Sequence, residues 1–462
     1  MTTLDINAPG DTGATKLYRA AWRWHFYAGL FVIPFLMILA VTGMAMLWIA
    51  WVDGRDGERT PVVPQDTAMQ ISIQAEAAVA AIPGGELKQY VAPRTPEVAA
   101  LFRVDHEGDA TMVAVDPYTG QVIETFPRRS GWYDFADGIH SDLMLGVTGD
   151  RMLETAASLA MVLVATGLYM WWPRGDGWRR ALVPTLATGR SLWKSLHGVV
   201  GIWVSIILVF FLISGLSWAG IWGGKMVQAW SQFPAEKWDA VPLSDVTHAN
   251  MNHARREVPW ALELTPMPAS GSDAGVPGVT APLVNMGSVD ALAREIGFDA
   301  RYQMNLPSGD AGVWTLSRDS MNTDSTDPMS DRTVHVDQYT GNILADVRYE
   351  DYTWAGKAMA VGIALHMGTM GLWSVLANTI VCLAVMFLCV SSVVLWWKRR
   401  PVGAGRLAAP PMPRELPLWQ GAVLVGLAVS MAFPMAGLAL LTVLALDSLI
   451  LSRLPFLRRA LT

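Results

Sequence analysis

Four of the eight histidines in this 462-residue chain, His25, His140, His197 and His366, lie within or beside long apolar stretches. An imidazole in hydrocarbon is costly, so it is either paired off or kept for a task. His197 opens the run from Gly198 to Ile221 in SLWKSLHGVVGIWVSIILVFFLISGLSWAGIW, and His25 holds the matching place in the first apolar block. His140 lies in DGIHSDLMLG and His366 in IALHMGTMG. One such histidine alone reads as an interhelical hydrogen bond or an interface anchor. Two related pairs, His25 with His197 and His140 with His366, do more. Imidazoles facing each other in an apolar helical bundle are the arrangement that holds a b-type haem from both axial sides. Filling both axial positions disfavours oxygen binding and suits electron transfer.

The surroundings fit that chemistry or a simpler one. Gly29 and Gly43 follow His25 by four and 18 residues, and Gly201 and Gly215 follow His197 likewise. On a helix these positions share the histidine's face, where glycine either admits a flat porphyrin or lets helices pack closely. Arg19, Arg23 and Lys194 would neutralise haem propionates on one side and Arg151 on the other, or else anchor helix ends at the interface. Glu154, three residues from Arg151, reads as its ion-pair partner. His106, His248, His253 and His335 have no histidine counterparts and read as surface residues. His248 and His253 are five apart, a poor spacing for shared metal ligation. Cys382 and Cys389, seven apart on one helix, are separated by ~10 Å and cannot bridge; they read as small hydrophobes.

These residues need a scaffold. With 52% hydrophobic residues and 21 Trp gathered into bilayer-length blocks, the chain reads as an integral membrane protein. The blocks are 22–51, 152–172, 198–222, 374–397, 419–433 and 435–451, which gives about six transmembrane helices, the last two as a hairpin about Pro434. Lys16, Arg19 and Arg23, then Arg174 to Lys194, Lys398 to Arg414, and Arg453 to Arg459 flank the helices on one side, the cytoplasmic one. The expected organisation is therefore a tail (1–19), a first helix (20–51), an external domain (52–133), a His segment with the second helix (134–173) and a loop (174–190). A third helix (191–222), a second external domain (223–353), a His segment with the fourth helix (354–398), a loop (399–417), the hairpin (418–452) and a tail (453–462) follow. The exterior is acidic, which speaks against nucleic acid. The first block is too long for a signal peptide and lacks a prompt cleavage site.

An internal two-fold repeat organises the whole. Thr42-Gly43 matches Ser214-Gly215, helix-like ISIQAEAAVAAI matches VDALAREI, and strand-like KQYVAP and AALFRVD match RYQMNL and VWTLSRD. VAVDPYTGQVIE and VHVDQYTGNILAD share Asp-x-Tyr-Thr-Gly, a structural turn in which Asp116 or Asp337 bonds backbone amides and Gly120 or Gly341 takes positive φ. The insert 244–285 reads as loop. One difficulty concerns the outer histidines: His140 precedes Trp171 by ~46 Å of continuous helix, against a core of ~30 Å. The expected solution is a helix break at Gly146 to Gly149 and at Gly368 to Gly371.

The ordered motifs (a basic residue, His-x-x-x-Gly, Thr/Ser-Gly, an external Asp-x-Tyr-Thr-Gly and a second membrane histidine) resemble the PepSY-associated transmembrane helix family over residues 16–400. That family includes inner-membrane ferric-siderophore reductases of Gram-negative bacteria. The resemblance implies two periplasmic α+β PepSY-like domains on an α-helical membrane protein of the bacterial inner membrane, with both termini cytoplasmic. It maps His25, His197, His140 and His366 onto haem-ligand positions, for two haem b groups. The resulting expectation is a transmembrane ferric reductase acting on a ferric siderophore or other ferric chelate between the external modules. With no glycine-rich dinucleotide fingerprint, its electrons would come from a cytoplasmic reductase or quinol. The rival readings are a membrane-anchored PepSY regulator that binds peptides, and a transporter.

Overall fold

The computed structural model describes residues 13–173, 177–227, 230, 232–238, 240–250, 258–401, 406–410, 420–446, 449, 453–454 and 456. His253, Arg174, Arg414, Arg458 and Arg459 lie outside the described residues. The chain divides into two compact units.

The first unit comprises Met1–Met44, Asp137–Val227 and Thr379–Thr462. Its frame is four long helices: α1 (Gly13–Val52), α4 (Val147–Trp171), α5 (Gly189–Leu216) and α8 (Leu372–Arg399). Among the described residues these four are long and apolar enough to cross a membrane. Their contacts are apolar: Val32, Ala160 and Leu212 join α1, α4 and α5, and Ala40, Val385 and Cys389 join α1 and α8. Cys382 and Cys389 are free thiols in that packing, as small hydrophobes would be. The expected C-terminal hairpin consists of α9 (Gln420–Ala432) and α10 (Pro434–Leu446), 13 residues each. At ~1.5 Å per residue neither described helix reaches across ~30 Å of hydrocarbon, so the described residues show four of the expected six spans. The hairpin is nevertheless docked: Trp222 Nε1 donates to the Ala432 carbonyl at 2.8 Å.

The breaks before α4 and α8 are present. The short helix α3 (Trp132–Asp142) stops where Leu143 and Met144 adopt positive φ of 56° and 59°. The Met144 amide then donates to the Gly138 carbonyl at 3.0 Å and to Asp142 Oδ1 at 2.9 Å, closing the helix end. Helix α7 (Trp354–Met367) stops at Gly368, which takes the left-handed conformation with φ 70°.

The second unit comprises Ala45–Ala136 and Gln228–Asn378. Two expected external domains are here one continuous antiparallel sheet of eight strands, ordered β10-β9-β8-β7-β1-β2-β3-β4. The strands are β1 (Glu86–Val91), β2 (Ala100–His106), β3 (Asp109–Val115), β4 (Val122–Pro127), β7 (Gln303–Asn305), β8 (Val313–Arg318), β9 (Arg332–Asp337) and β10 (Ile343–Arg348). The seam is the pairing of β1 with β7, Gln89 opposite Asn305 and Val91 opposite Gln303. A buried hydrogen bond of 2.9 Å from Gln89 Nε2 to Gln303 Oε1 crosses it. Pairing these two strands removes two edges that would otherwise offer unpaired amides.

Strand alternation decides which side chain faces where. Phe102, Val104, Val113, Leu316 and Val336 meet Ala78 of α2 (Ile71–Ala80) and Val289 of α6 (Met286–Glu295) in the main core. Leu101, Met112 and Val91 face the other way. The turns form as the sequence requires. The Tyr118 and Tyr339 amides each donate at 2.8 Å to Oδ1 of Asp116 and Asp337, and Gly120 and Gly341 take φ of 69° and 72°. Asp337 also accepts from the Gly271 amide at 2.7 Å. Burial opposes its ionisation, but the Thr340, Tyr339 and Gly271 amides prevail and hold its carboxyl below the usual range.

The insert is more than loop. It contributes the strand pair β5 (Leu243–Thr247) and β6 (Pro266–Pro268), and its Ala261 and Leu262 join the preceding Phe233 and Trp238 in a core against Ala345 and Val347 of β10.

Candidate functional site

His25 belongs to α1 and His197 to α5. The two imidazoles lie within electrostatic reach of each other. Each is tied at Nδ1 to a hydroxyl on another helix: His25 to Thr166 Oγ1 of α4 at 3.0 Å, and His197 to Ser391 Oγ of α8 at 2.8 Å. Neither Nε2 has a hydrogen-bond partner among the described residues. The inner pair is thus assembled from two helices and held from the other two.

His140 in α3 sits against α1, its Nδ1 at 2.9 Å from Thr42 Oγ1. His366 lies in the last turn of α7 in the second unit, where Asn378 Nδ2 donates to its carbonyl at 3.1 Å and to that of Leu365 at 2.7 Å. The four histidines are half-buried.

The glycines fall into two kinds. A methyl added at Gly43 would stand 3.2 Å from Cε1 of His140, so this glycine makes room for the imidazole itself. Gly29 and Gly201 face single leucine methyls, Leu163 and Leu388, each 3.9 Å from the added carbon. Gly215 lies in the last turn of α5. Gly167, which the sequence reading passed over, comes within 3.3 Å of His25 Cε1 in the same test. It stands next to Thr166, so both neighbours of the His25 ring on α4 are small.

The cations are placed as follows. Arg23 donates to the Pro410 carbonyl at 2.6 Å and to the Tyr27 hydroxyl at 3.0 Å. Arg151 is held between Asp150 at 2.6 Å and Glu154 at 3.1 Å, the expected local pair. Glu154 also accepts from the Trp222 and Ile221 amides at 3.0 and 3.3 Å, and Asp150 from the Gly220 amide at 3.2 Å. This cluster ties the start of α4 to the residues after α5.

Among the described residues no group of three or more His, Cys, Asp or Glu side chains forms a metal cluster. A porphyrin-borne iron requires only two axial ligands from protein. His25 and His197, nitrogen donors on separate apolar helices with Nε2 uncommitted among the described residues, fit that requirement.

The second unit carries an open polar cleft of about 80 Å³ over the seam face of the sheet. Gln89, Met112 and Gln303 form its floor, Arg55, Arg128 and Arg301 supply positive charge, and Met367 and Thr369, just after His366, complete its lining. Arg301 is bonded to Glu58 at 2.7 Å and to Asp324 at 2.9 Å. Arg55 pairs with Asp134 and lies over the Tyr133 ring, 4.5 Å from its centre. None of these residues stood out in sequence, because isolated arginines and glutamines on strands have no spacing that marks a site.

Two histidines read as surface residues are the reverse. His248 and His335 have no exposed surface, and their Nε2 atoms are 2.9 Å apart. The insert folds back onto β9 and buries both.

The arrangement defines a multi-pass membrane protein with histidines on its apolar helices and a large α-and-β unit. The chain belongs to the PepSY-associated TM region family, whose model matches residues 22–399. A search of curated proteins finds no match.

Proposed function

We propose that this protein is a haem-b electron conduit of the bacterial inner membrane that reduces ferric iron, held in a siderophore or similar chelate, at the external face. The observation that carries the reading is the inner pair: His25 and His197 come from separate apolar helices, lie within reach of each other, and keep Nε2 uncommitted. His140 and His366 are the proposed outer pair. When bound, haem supplies a one-electron carrier whose iron cycles between ferric and ferrous states.

The chain's own part is to hold and insulate. The parallel contacts Gly29 to Leu163 and Gly201 to Leu388, with Thr166 and Ser391 at the inner histidines, support a two-fold repeat of helix, external segment and helix. Two haems would then stand in series. The Lys and Arg residues that flank the helices on one side support a cytoplasmic location for both termini, where a reductase or membrane quinol would supply the electron. One electron converts the ferric chelate to the ferrous one. Ferrous iron is less charged and binds hard oxygen donors more weakly, so the metal can leave. The cleft over the seam, with its arginines and its wall at Met367 and Thr369, is the proposed landing place for the chelate.

The test is a dithionite-reduced minus oxidised spectrum of the detergent-purified protein, with a pyridine haemochrome count. Sharp reduced b-type bands and about two haems per chain are expected from the two histidine pairs. His25→Ala or His197→Ala should remove one haem and His140→Ala or His366→Ala the other. A colourless protein from cells well supplied with haem would sink the proposal and favour a membrane-anchored PepSY regulator.

A further inference from the structure

The three hydroxyls behind the candidate ligands do more than fill space. Each also lies against a carbonyl of its own helix: Thr166 Oγ1 against Val162 at 2.7 Å, Thr42 Oγ1 against Ile38 at 2.8 Å and Ser391 Oγ against Leu388 at 3.1 Å. A hydroxyl has one proton. When that proton goes to the backbone, the oxygen can only accept from the imidazole, and Nδ1 must carry the N–H.

The opposite assignment has the hydroxyl donating to a bare Nδ1. It would put the proton on Nε2, where among the described residues neither His25 nor His197 has an acceptor for it. An N–H stranded in an apolar bundle costs about 1–3 kcal/mol. The Nδ1–H tautomer leaves an Nε2 lone pair instead, which iron would take up when haem is bound, so that neither ring nitrogen stays unsatisfied. That is the form a metal-ligating imidazole requires, with the second ring nitrogen anchored by an acceptor.

We infer that Thr166 and Ser391 at the inner pair, and Thr42 at His140, are positioning residues that lock the ligand histidines in the coordinating tautomer and set their ring orientation. The inference rests on the haem reading. Ser214 in α5 stands where Thr42 stands in α1 and donates to its own Phe210 carbonyl at 2.8 Å. A hydroxyl oxygen is a modest acceptor, so it leaves the imidazole neutral rather than drawing it toward imidazolate. Removing it withdraws electron density from the ligand and favours the ferrous state.

The experiment compares haem affinity, by titrating haemin into the apo-protein, and midpoint potential in Thr166→Val, Thr166→Ser, Ser391→Ala and the wild-type chain. Two neighbours serve as controls. Thr155 donates to the Arg151 carbonyl at 2.7 Å and Ser392 to that of Leu388 at 2.7 Å, and among the described residues neither is hydrogen-bonded to a histidine. Loss of such an outer partner typically costs about 10–100-fold in affinity. The expected result is a loss of that order with a rise in potential for Thr166→Val and Ser391→Ala, wild-type behaviour for Thr166→Ser, and no change for Thr155→Val or Ser392→Ala. Wild-type affinity and potential in both Thr166→Val and Ser391→Ala would overturn the inference and leave the haem reading standing. A wild-type chain that takes up no haemin would overturn the haem reading, and this inference with it.

Discussion

His248 Nδ1 donates to the Thr265 carbonyl at 2.7 Å, which leaves its Nε2 to accept from Nε2–H of His335. His335 Nδ1 in turn accepts from the Thr315 hydroxyl at 3.0 Å. The Trp238 ring flanks both imidazoles, and no carboxylate among the described residues is a cause of either ring's shift. Burial pushes His248 down to about 4, with the Thr265 carbonyl opposing. Burial, and then His248, hold His335 well below 6.5. Groups whose folded pKa is depressed lend stability above the unfolded value and lose it as pH falls toward the folded one. Hydrogen exchange of residues 243–250 and 258–268 in the solubilised full chain should therefore accelerate as pH drops from 6.5 toward 4, after correction for intrinsic rates. At pH 7.5, His248→Ala should cost about 2–3 kcal/mol, from a cavity and a stranded N–H on His335. Unchanged protection in that variant would contradict the relay. The sequence hid this pair for a physical reason. His248 lies in a Pro- and Gly-rich stretch that reads as loop, and β9 has His335 where the first half has Ala114. Nothing local shows that the insert folds back over the strand.

The helix breaks were legible because glycine marks them and helical length demanded them. Their construction was not. A methyl at Gly149 would sit 1.6 Å from the Asp142 carbonyl oxygen, so the first turn of α4 presses directly on the last turn of α3. Gly149→Ala should force the two apart. The expected outcome is a loss of stability of about 1–3 kcal/mol from overpacking and, under the haem reading, a weakened outer haem with the inner one retained. Equal loss of both haems would show that the break does not act locally. Strand alternation was similarly readable, and Phe102 and Leu101 face opposite sides as period two requires. The hydroxyls behind the histidines were not readable. Thr155 and Thr166 make the same bond to their own helix, and only the neighbouring helix tells them apart.

Across the second unit, the long-range ties converge on Arg301, which joins Glu58 of the segment after α1 to Asp324 of the β8–β9 connection. Removing the guanidinium from a buried pair while leaving the carboxylates typically costs about 3–5 kcal/mol. Burial already pushes Asp324 up to about 7, with Arg301 opposing. In Arg301→Met that carboxyl should protonate more readily still, so denaturant unfolding should show a larger penalty at pH 8 than at pH 6. An equal penalty at both would mean that the charge pair is not what the variant removes. The repeat told which segments are strands but not that β1 and β7 join, because a strand's edge amides name no partner. That joint has a consequence for how the chain is made. Gln89 and Gln303, bonded across it, are 214 residues apart. At about 5–20 residues per second, β1 waits roughly ten to forty seconds after its synthesis before β7 exists. For that interval an open strand edge stands exposed while further membrane helices are still being inserted, and the protection it needs must come from outside the chain.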